Sequence, residues 1–266
     1  MTQFTAKDVQ RLRQSTGAGM MDAKRALQEN GGDFETAARW LREKGLAASA
    51  KRADRANEQG AVSVAVEGGA GAIVELRCET DYVAKSGEFR ALVDELARAV
   101  AVEGEEAAKA QAEAIDDLKV TLKENIDVGR VVRFEASDGA VLDSYLHVQN
   151  DRGVIAVLVE VAGGDRRLAH DVALHIASMR PEWVTREQVP PERLAQERAE
   201  LEARTRNEGK PEAAIPKIVE GRLNGFYKDV GGVLLDQPFV REPKQTVGQV
   251  LGGATVTRFA RVEVGR

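Results

Sequence analysis

Cys78 is the residue best able to carry covalent chemistry in this 266-residue chain, because it is the only thiol. A thiolate nucleophile needs a base, and the chain holds three histidines, His147, His170 and His175. Yet Cys78 falls in phase with Val74 and Leu76 along an alternating apolar stretch. That phase predicts a small buried core residue rather than a nucleophile. His170 and His175 are five residues apart, so they do not share the i, i+4 face of a zinc-binding helix. All three histidines read as surface or packing residues. A single cysteine excludes an intrachain disulfide and any multi-cysteine metal site. "GGAGA" (residues 68–72) resembles a dinucleotide fingerprint only on the surface: it joins two alternating runs and does not open a helix. There is no G-x-x-x-x-G-K-[ST], hence no phosphate-binding loop. The chain is expected not to be an enzyme, and to use neither cofactor nor metal.

Composition narrows the class further. Hydrophobic residues make up 43% and charged residues 30%, a soluble globular mixture. The net charge is −5. Broad phosphate-gripping surfaces are usually basic, so no direct nucleic-acid partner is expected. The N-terminus lacks the apolar core of a signal peptide, and no window approaches the length of a membrane span. The expected location is cytoplasmic, with no membrane partner.

The elements that would position these residues can be read in order. Thr5 and Asp8 form a helix-start signal, with Val9 and Leu12 on one face. "TGAG" breaks that helix, and Met20, Ala23 and Leu27 form the stripe of a second. Asp33 caps a third, with Ala37, Trp40 and Leu41 inward and Gly45 as its stop. Met20 and Met21 are adjacent, so both cannot point along one helix face. Either one is an exposed, soft contact surface, or both are partly buried in a small module. Residues 46–60 read as a linker. Val62, Val64 and Val66 then alternate up to "EGGAG". Val74, Leu76 and Cys78 alternate with Glu75, Arg77 and Glu79. Phe89, Leu92, Val93, Leu96 and Val100 follow at helical spacing. Residues 141–148 and 153–161, followed by Leu168, Val172, Ile176 and Met179, repeat this strand–strand–helix order. Between the units lie a short helix and the strand "RVVRFEA". Residues 190–230 are helical and charged around "NEGKP", an antiparallel helical hairpin that is either a solvated spacer or a self-association surface. "RVEV" near the end reads as a closing strand. The fold class is α+β with helical appendages.

Several stretches together resemble one family. "LRQSTGAGMMDAKRAL" (residues 12–27) and "CETDYVAKSGEF" (78–89) are similar to the two signatures of bacterial translation elongation factor Ts. "VEGRLNGFYKDVGGVLLDQPFV" (219–240) and "KQTVGQVL" (244–251) resemble its C-terminal half. The matches span nearly the whole chain in family order. The resemblance implies a ubiquitin-associated-like three-helix module with its linker over 1–54 and a first core subdomain over 55–140. It implies a second core subdomain over 141–180 and 229–266, and a coiled-coil hairpin inserted at 181–228.

The same resemblance implies a guanine nucleotide exchange factor for elongation factor Tu, a GTPase. Such a factor would bind the GDP complex, promote GDP release and be displaced by GTP. Thr80, Asp81, Tyr82 and Val83 would intrude near the partner's magnesium site. Arg13, Met20 and Met21 would contact its nucleotide domain, and His147 a second surface. A homodimer or a 2:2 complex with the partner is compatible with this reading. Two features depart from the family: Tyr82 stands where Phe is usual, and no helical tail follows the last strand, so tail contacts are not expected. The competing readings are a ubiquitin-like-binding adaptor, which leaves "TDYVAKSGEF" without a role, and a structural dimer built on the hairpin.

Overall fold

The computed structural model describes residues 4–265. Three helices open it: α1 (Ala6–Thr16), α2 (Met20–Glu29) and α3 (Phe34–Ala50). The Thr5 side chain accepts from the Asp8 amide while the Asp8 carboxylate takes the Thr5 amide, which closes both orphan donors at the start of α1. Gly17, left-handed at φ 66°, ends that helix. Asp33 caps α3 by accepting from the Thr36 amide at 2.8 Å. Val9, Leu12, Ala23, Ala26, Leu27, Ala37 and Leu41 form their shared core.

The next elements are β1 (Gln59–Glu67), β2 (Ala70–Cys78), α4 (Asp81–Ala84), α5 (Gly87–Glu103), α6 (Ala107–Ala110), α7 (Ala112–Leu122) and β3 (Asp127–Glu135). Then come β4 (Ala140–Gln149), β5 (Arg152–Ala162), α8 (Arg166–Met179), α9 (Pro191–Asn207) and α10 (Ile215–Lys228). β6 (Pro238–Phe239), β7 (Glu242–Thr246), α11 (Val247–Leu251) and β8 (Thr255–Glu263) complete the chain. β1, β2 and β3 form one antiparallel sheet, and β4, β5 and β8 another. In each sheet a hairpin is followed by a helix, and a later strand returns beside the hairpin's second strand. The turn at Gly68 and Gly69 has φ of 58° and 84°, the two left-handed residues a two-residue hairpin turn needs. The fold is α+β.

Strand alternation builds four layers. Val74, Leu76 and Cys78 face α5, where they meet Phe89, Val93 and Leu96. Val62 and Ile73 point the other way, against Leu142, Ala156, Leu158 and Val262 of the second sheet. Val157, Val159 and Val161 of β5 then face Ala169, Val172 and Ile176 of α8. The order is helix, sheet, sheet, helix. The sheets come close because two positions lack a Cβ. One added at Gly71 would sit 2.6 Å from Leu158 Cδ1, and one at Gly153 would sit 2.1 Å from the Val62 carbonyl oxygen.

Three expectations change. Gly45 does not stop α3. The helix runs through it to Ala50, and a Cβ there would lie 2.5 Å from Val120 Cγ1. The glycine is a notch into which α7 fits, and Arg42 fastens the pair through Glu113 at 2.7 Å and Asp117 at 3.0 Å. Glu75, placed outward by alternation, is fully buried because the second sheet covers that face. Its carboxylate accepts from the Arg130 backbone and Nε at 3.2 Å and from Arg77 at 3.1 Å. Burial pushes this carboxyl up, but the donors outweigh it and hold it below its ordinary value. The closing strand is longer than "RVEV", running from Thr255. Along α9 and α10, Arg198 pairs with Glu220, and Arg222 donates to Thr205 at 3.0 Å, an antiparallel match over Leu194, Leu201, Val219 and Leu223.

His175 is buried on α8 and fastens the segment after α10. Its Nε2 is 3.0 Å from Gln237 Oε1, and its Nδ1 accepts from the Val240 amide at 3.3 Å. Gln237 passes the link on, donating to the carbonyls of Met179 and Asp229. The amide donor at Nδ1 requires the neutral ring with its proton on Nε2. Burial lowers the His175 pKa below the ordinary 6.5. A lowered folded value means that the unfolded chain binds the extra proton first. This stability is therefore fully present above 6.5 and is lost as pH falls toward the lowered folded value. The thermal midpoint is expected to drop between about pH 7 and about pH 5, and His175→Gln to flatten that slope. An equal slope in the variant would remove His175 as the cause. Gly153→Ala is expected to destabilise by about 1–3 kcal/mol in denaturant unfolding, because the Val62 carbonyl cannot swing aside as a side chain would.

Candidate partner-binding site

The stretch between β2 and α5 is a tight double turn. Thr80 is extended at φ −124° and caps α4, its hydroxyl accepting from the Val83 amide at 3.3 Å. Ser86 caps α5 in the same way, accepting from the Phe89 amide at 3.3 Å. Two caps six residues apart leave little freedom for the chain between them. Val83 and Ala84 turn inward and join the core beneath α5. Asp81 and Tyr82 turn outward. Tyr82 is 83% exposed, the largest exposure among the large apolar side chains described. Lys85 Nζ lies 2.5 Å from Asp81 Oδ2, and that hydrogen bond, together with the Lys85 charge, holds the Asp81 carboxyl below its ordinary value.

A second carboxylate holds the turn from below. Glu124, just past α7, accepts from the Glu79 amide at 3.0 Å and the Thr80 amide at 3.1 Å through Oε2. Its Oε1 accepts from the Thr80 hydroxyl at 2.5 Å. Glu79 reciprocates by accepting from the Asn125 amide at 2.8 Å. The Asn125 side chain then donates to the carbonyls of Ala53 and Arg55, the segment leading from the N-terminal helices into β1. Reading the sequence missed Glu124 and Asn125. "KEN" after a helix looks like any polar connection, and the contacts span 44 to 72 positions. No local pattern signals them.

Cys78 is fully buried and its thiol donates to the Thr80 carbonyl at 3.2 Å. Burial, with the nearby Glu124 charge, pushes the thiol up to about 12. It braces the turn as a neutral group. Among the described residues, no three His, Cys, Asp or Glu side chains are placed to hold a metal, and no helix is long and apolar enough to cross a membrane.

The remaining sequence-predicted residues lie on other elements. Arg13 is exposed in the last turn of α1. Met20 and Met21 are both exposed, at 47% and 72%. Neither reading of this pair holds as stated, and Met20 leaves the expected stripe: α2 buries Ala23, Ala26 and Leu27 instead and leaves two sulfur-bearing side chains in solvent. His147 is exposed near the end of β4, its Nδ1 3.4 Å from the Tyr145 hydroxyl. It borders a groove of about 570 Å³ with Tyr145, Ile155, Arg180 and Val240. The structure thus gathers Thr80 to Val83 into one turn, Arg13 with the methionines onto two neighbouring helices, and His147 onto the second sheet.

The sequence profile of the Elongation factor TS family matches residues 79–266, from the clasped turn onward. The chain belongs to the elongation factor Ts family. Full-length relatives cover the N-terminal helices as well. Elongation factor Ts of Nocardioides sp. is 47% identical over 279 residues, that of Mycolicibacterium vanbaalenii 45% over 280, and that of Micrococcus luteus 42% over 282. In each case 100% of both chains is covered. Elongation factor Ts is a name from translation, and the exposed turn, the paired methionines and the groove are the surfaces this member offers.

Cys78 gives a direct check on the packing of the turn. A thiol at about 12 is deprotonated roughly a thousandfold less at neutral pH than a free cysteine. Iodoacetamide is expected to leave Cys78 unmodified in the native protein and to label it stoichiometrically in denaturant. Rapid native labelling would show that the turn opens.

Proposed function

We propose that this chain is a guanine nucleotide exchange factor for elongation factor Tu, acting without bond chemistry. It binds the GDP complex, disturbs the magnesium and phosphate site so that GDP leaves, and is displaced when GTP binds. Membership of the elongation factor Ts family supports the partner. One observation carries the mechanism: an almost fully exposed Tyr82 on a turn fixed by two caps and a carboxylate clasp.

A GTPase holds its nucleotide with backbone amides around the phosphates and a magnesium ion bridging them. Magnesium requires near-octahedral geometry, so a small displacement of the surrounding chain weakens binding disproportionately. Tyr82 is the wedge that makes the displacement. A rigid base matters because a loose wedge would yield instead of its target. Asp81 presents a carboxylate beside it, paired with Lys85, which can reorganise hydrogen bonds at the partner's site. Thr80 and Val83 serve from behind, one as cap and clasp, the other as core anchor. An acceleration of ~10⁴ requires about 5.5 kcal/mol of barrier lowering. One side chain does not supply that, so a broad interface contributes. Arg13, Met20 and Met21 form the docking patch on one flank, and His147 contributes on another. Coupling is reciprocal: rebinding of nucleotide loosens the factor's own grip.

Tyr82→Ala is expected to slow GDP release at saturating factor by about tenfold to a hundredfold while changing the affinity of the complex less than about threefold. Stopped-flow release of fluorescent GDP from elongation factor Tu measures both, and an unchanged saturated rate would sink the wedge. Arg13→Ala combined with Met21→Ala is expected to do the reverse, raising the Kd by about tenfold or more with the saturated rate retained. Point changes suit this test better than truncation, because α3 packs on α7 and its removal would strip the core.

A further inference from the structure

Resting on that reading, we propose that Glu124 is a positioning residue for exchange: it holds the wedge turn in its productive orientation and takes no part in docking. Its two oxygens receive three hydrogen bonds, all from the two residues that precede α4. Two come from backbone amides, so the carboxylate fixes the path of the main chain and not a single rotamer. The third comes from the Thr80 hydroxyl, which itself accepts from the Val83 amide. The chain of bonds runs from Glu124 through Thr80 into the first turn that carries Tyr82. Tyr82 makes no contact with Glu124 in this chain of bonds, so the effect is transmitted by backbone geometry.

The anchor of Glu124 is itself well founded. It follows α7, whose Lys123 end cap is left-handed at φ 60°. Asn125, beside it, is buried and tied to the carbonyls of residues 53 and 55. α7 is gripped by α3 through Gly45 and Arg42. α3, which packs on the two helices that carry the docking patch, meets α7 at Val120, and Glu124 lies just past the end of α7.

The chemistry distinguishes three substitutions. Glu124→Ala removes all three acceptors. Glu124→Asp keeps the charge but falls about one methylene short of the amides. Glu124→Gln keeps the reach and one carbonyl oxygen for the two amides, and its amino group can donate to the Thr80 hydroxyl. A displacement of about 1 Å in an aligned group can lower a rate by up to about a hundredfold. Ala and Asp are therefore expected to lower the saturated GDP-release rate by about tenfold to a hundredfold, with Kd for elongation factor Tu changed less than about threefold. Gln is expected to recover most of the rate lost in Ala. In the double variant Tyr82→Ala with Glu124→Ala, the rate is expected to match Tyr82→Ala alone, since the clasp acts through the wedge.

The measurement is stopped-flow release of fluorescent GDP with the full chain, alongside thermal melts. If Glu124→Ala does not fold, the contrast between Asp and Gln carries the test. A saturated rate in Asp equal to wild type, or losses that add in the double variant, overturns the positioning role. A wild-type chain that does not accelerate release at all overturns the exchange reading instead, so the two failures are separable.

Discussion

A carboxylate that receives two consecutive backbone amides fixes the path of the main chain that carries them. At Glu124 such a contact closes the turn after β2, and Glu79 returns it to the Asn125 amide. Charge-assisted bonds of this kind are about twice as strong as neutral ones. They lie at the surface of a core that has already fixed both ends: Cys78 is buried on one side, and Val83 and Ala84 on the other. The exposed aromatic is thus the free vertex of a braced triangle. In the reading proposed for this chain, that rigidity is the useful property, because a wedge transmits only as much displacement as its base withstands.

A second constraint is how the two sheets meet. The closest approaches need absent Cβ atoms at Gly71 and Gly153, and the buried edges need compensated carboxylates. Glu160 is the second of these. Burial raises its carboxyl, but the Ser137 amide and the Arg258 guanidinium reverse that and bring it to about 2. Arg258 also lies 4.4 Å from the centre of the Phe134 ring. A charge kept between apolar layers in this way stabilises little by itself, because desolvation offsets attraction. Glu75 takes its guanidinium donors from Arg77 and Arg130 of its own sheet, and Glu160 takes Arg258 from the strand beside it, so each charge is compensated within its own layer.

The N-terminal helices extend the same logic outward. Their small core would be marginal alone. Gly45 and Arg42 couple them to α7, and α7 ends where Glu124 begins. Exposed Met20 and Met21 at one end and exposed Tyr82 at the other are therefore parts of one connected body.

Much of this was legible from residue patterns alone. The period-two runs ending at Cys78, the capping signals at Thr5 and Asp33, and the i, i+4 stripe from Phe89 depend on neighbours within a few positions. The caps and the helix stripe are set by local sterics and hydrogen bonding, and the alternation of a strand by its own period of two. The signature residues 78–89 likewise marked the stretch to watch. The tertiary structure alone decided what required distant partners. Glu75 looks solvent-facing until a second sheet covers it, Gly45 looks like a helix stop until Val120 fills its notch, and Met20 looks like core until α2 is seen to bury alanines instead. Glu124 lies 44 residues from the amide of Thr80 that it holds. Pattern reads the period of one segment, whereas the rigidity of the Tyr82 turn comes from a carboxylate whose only signal is its position in space.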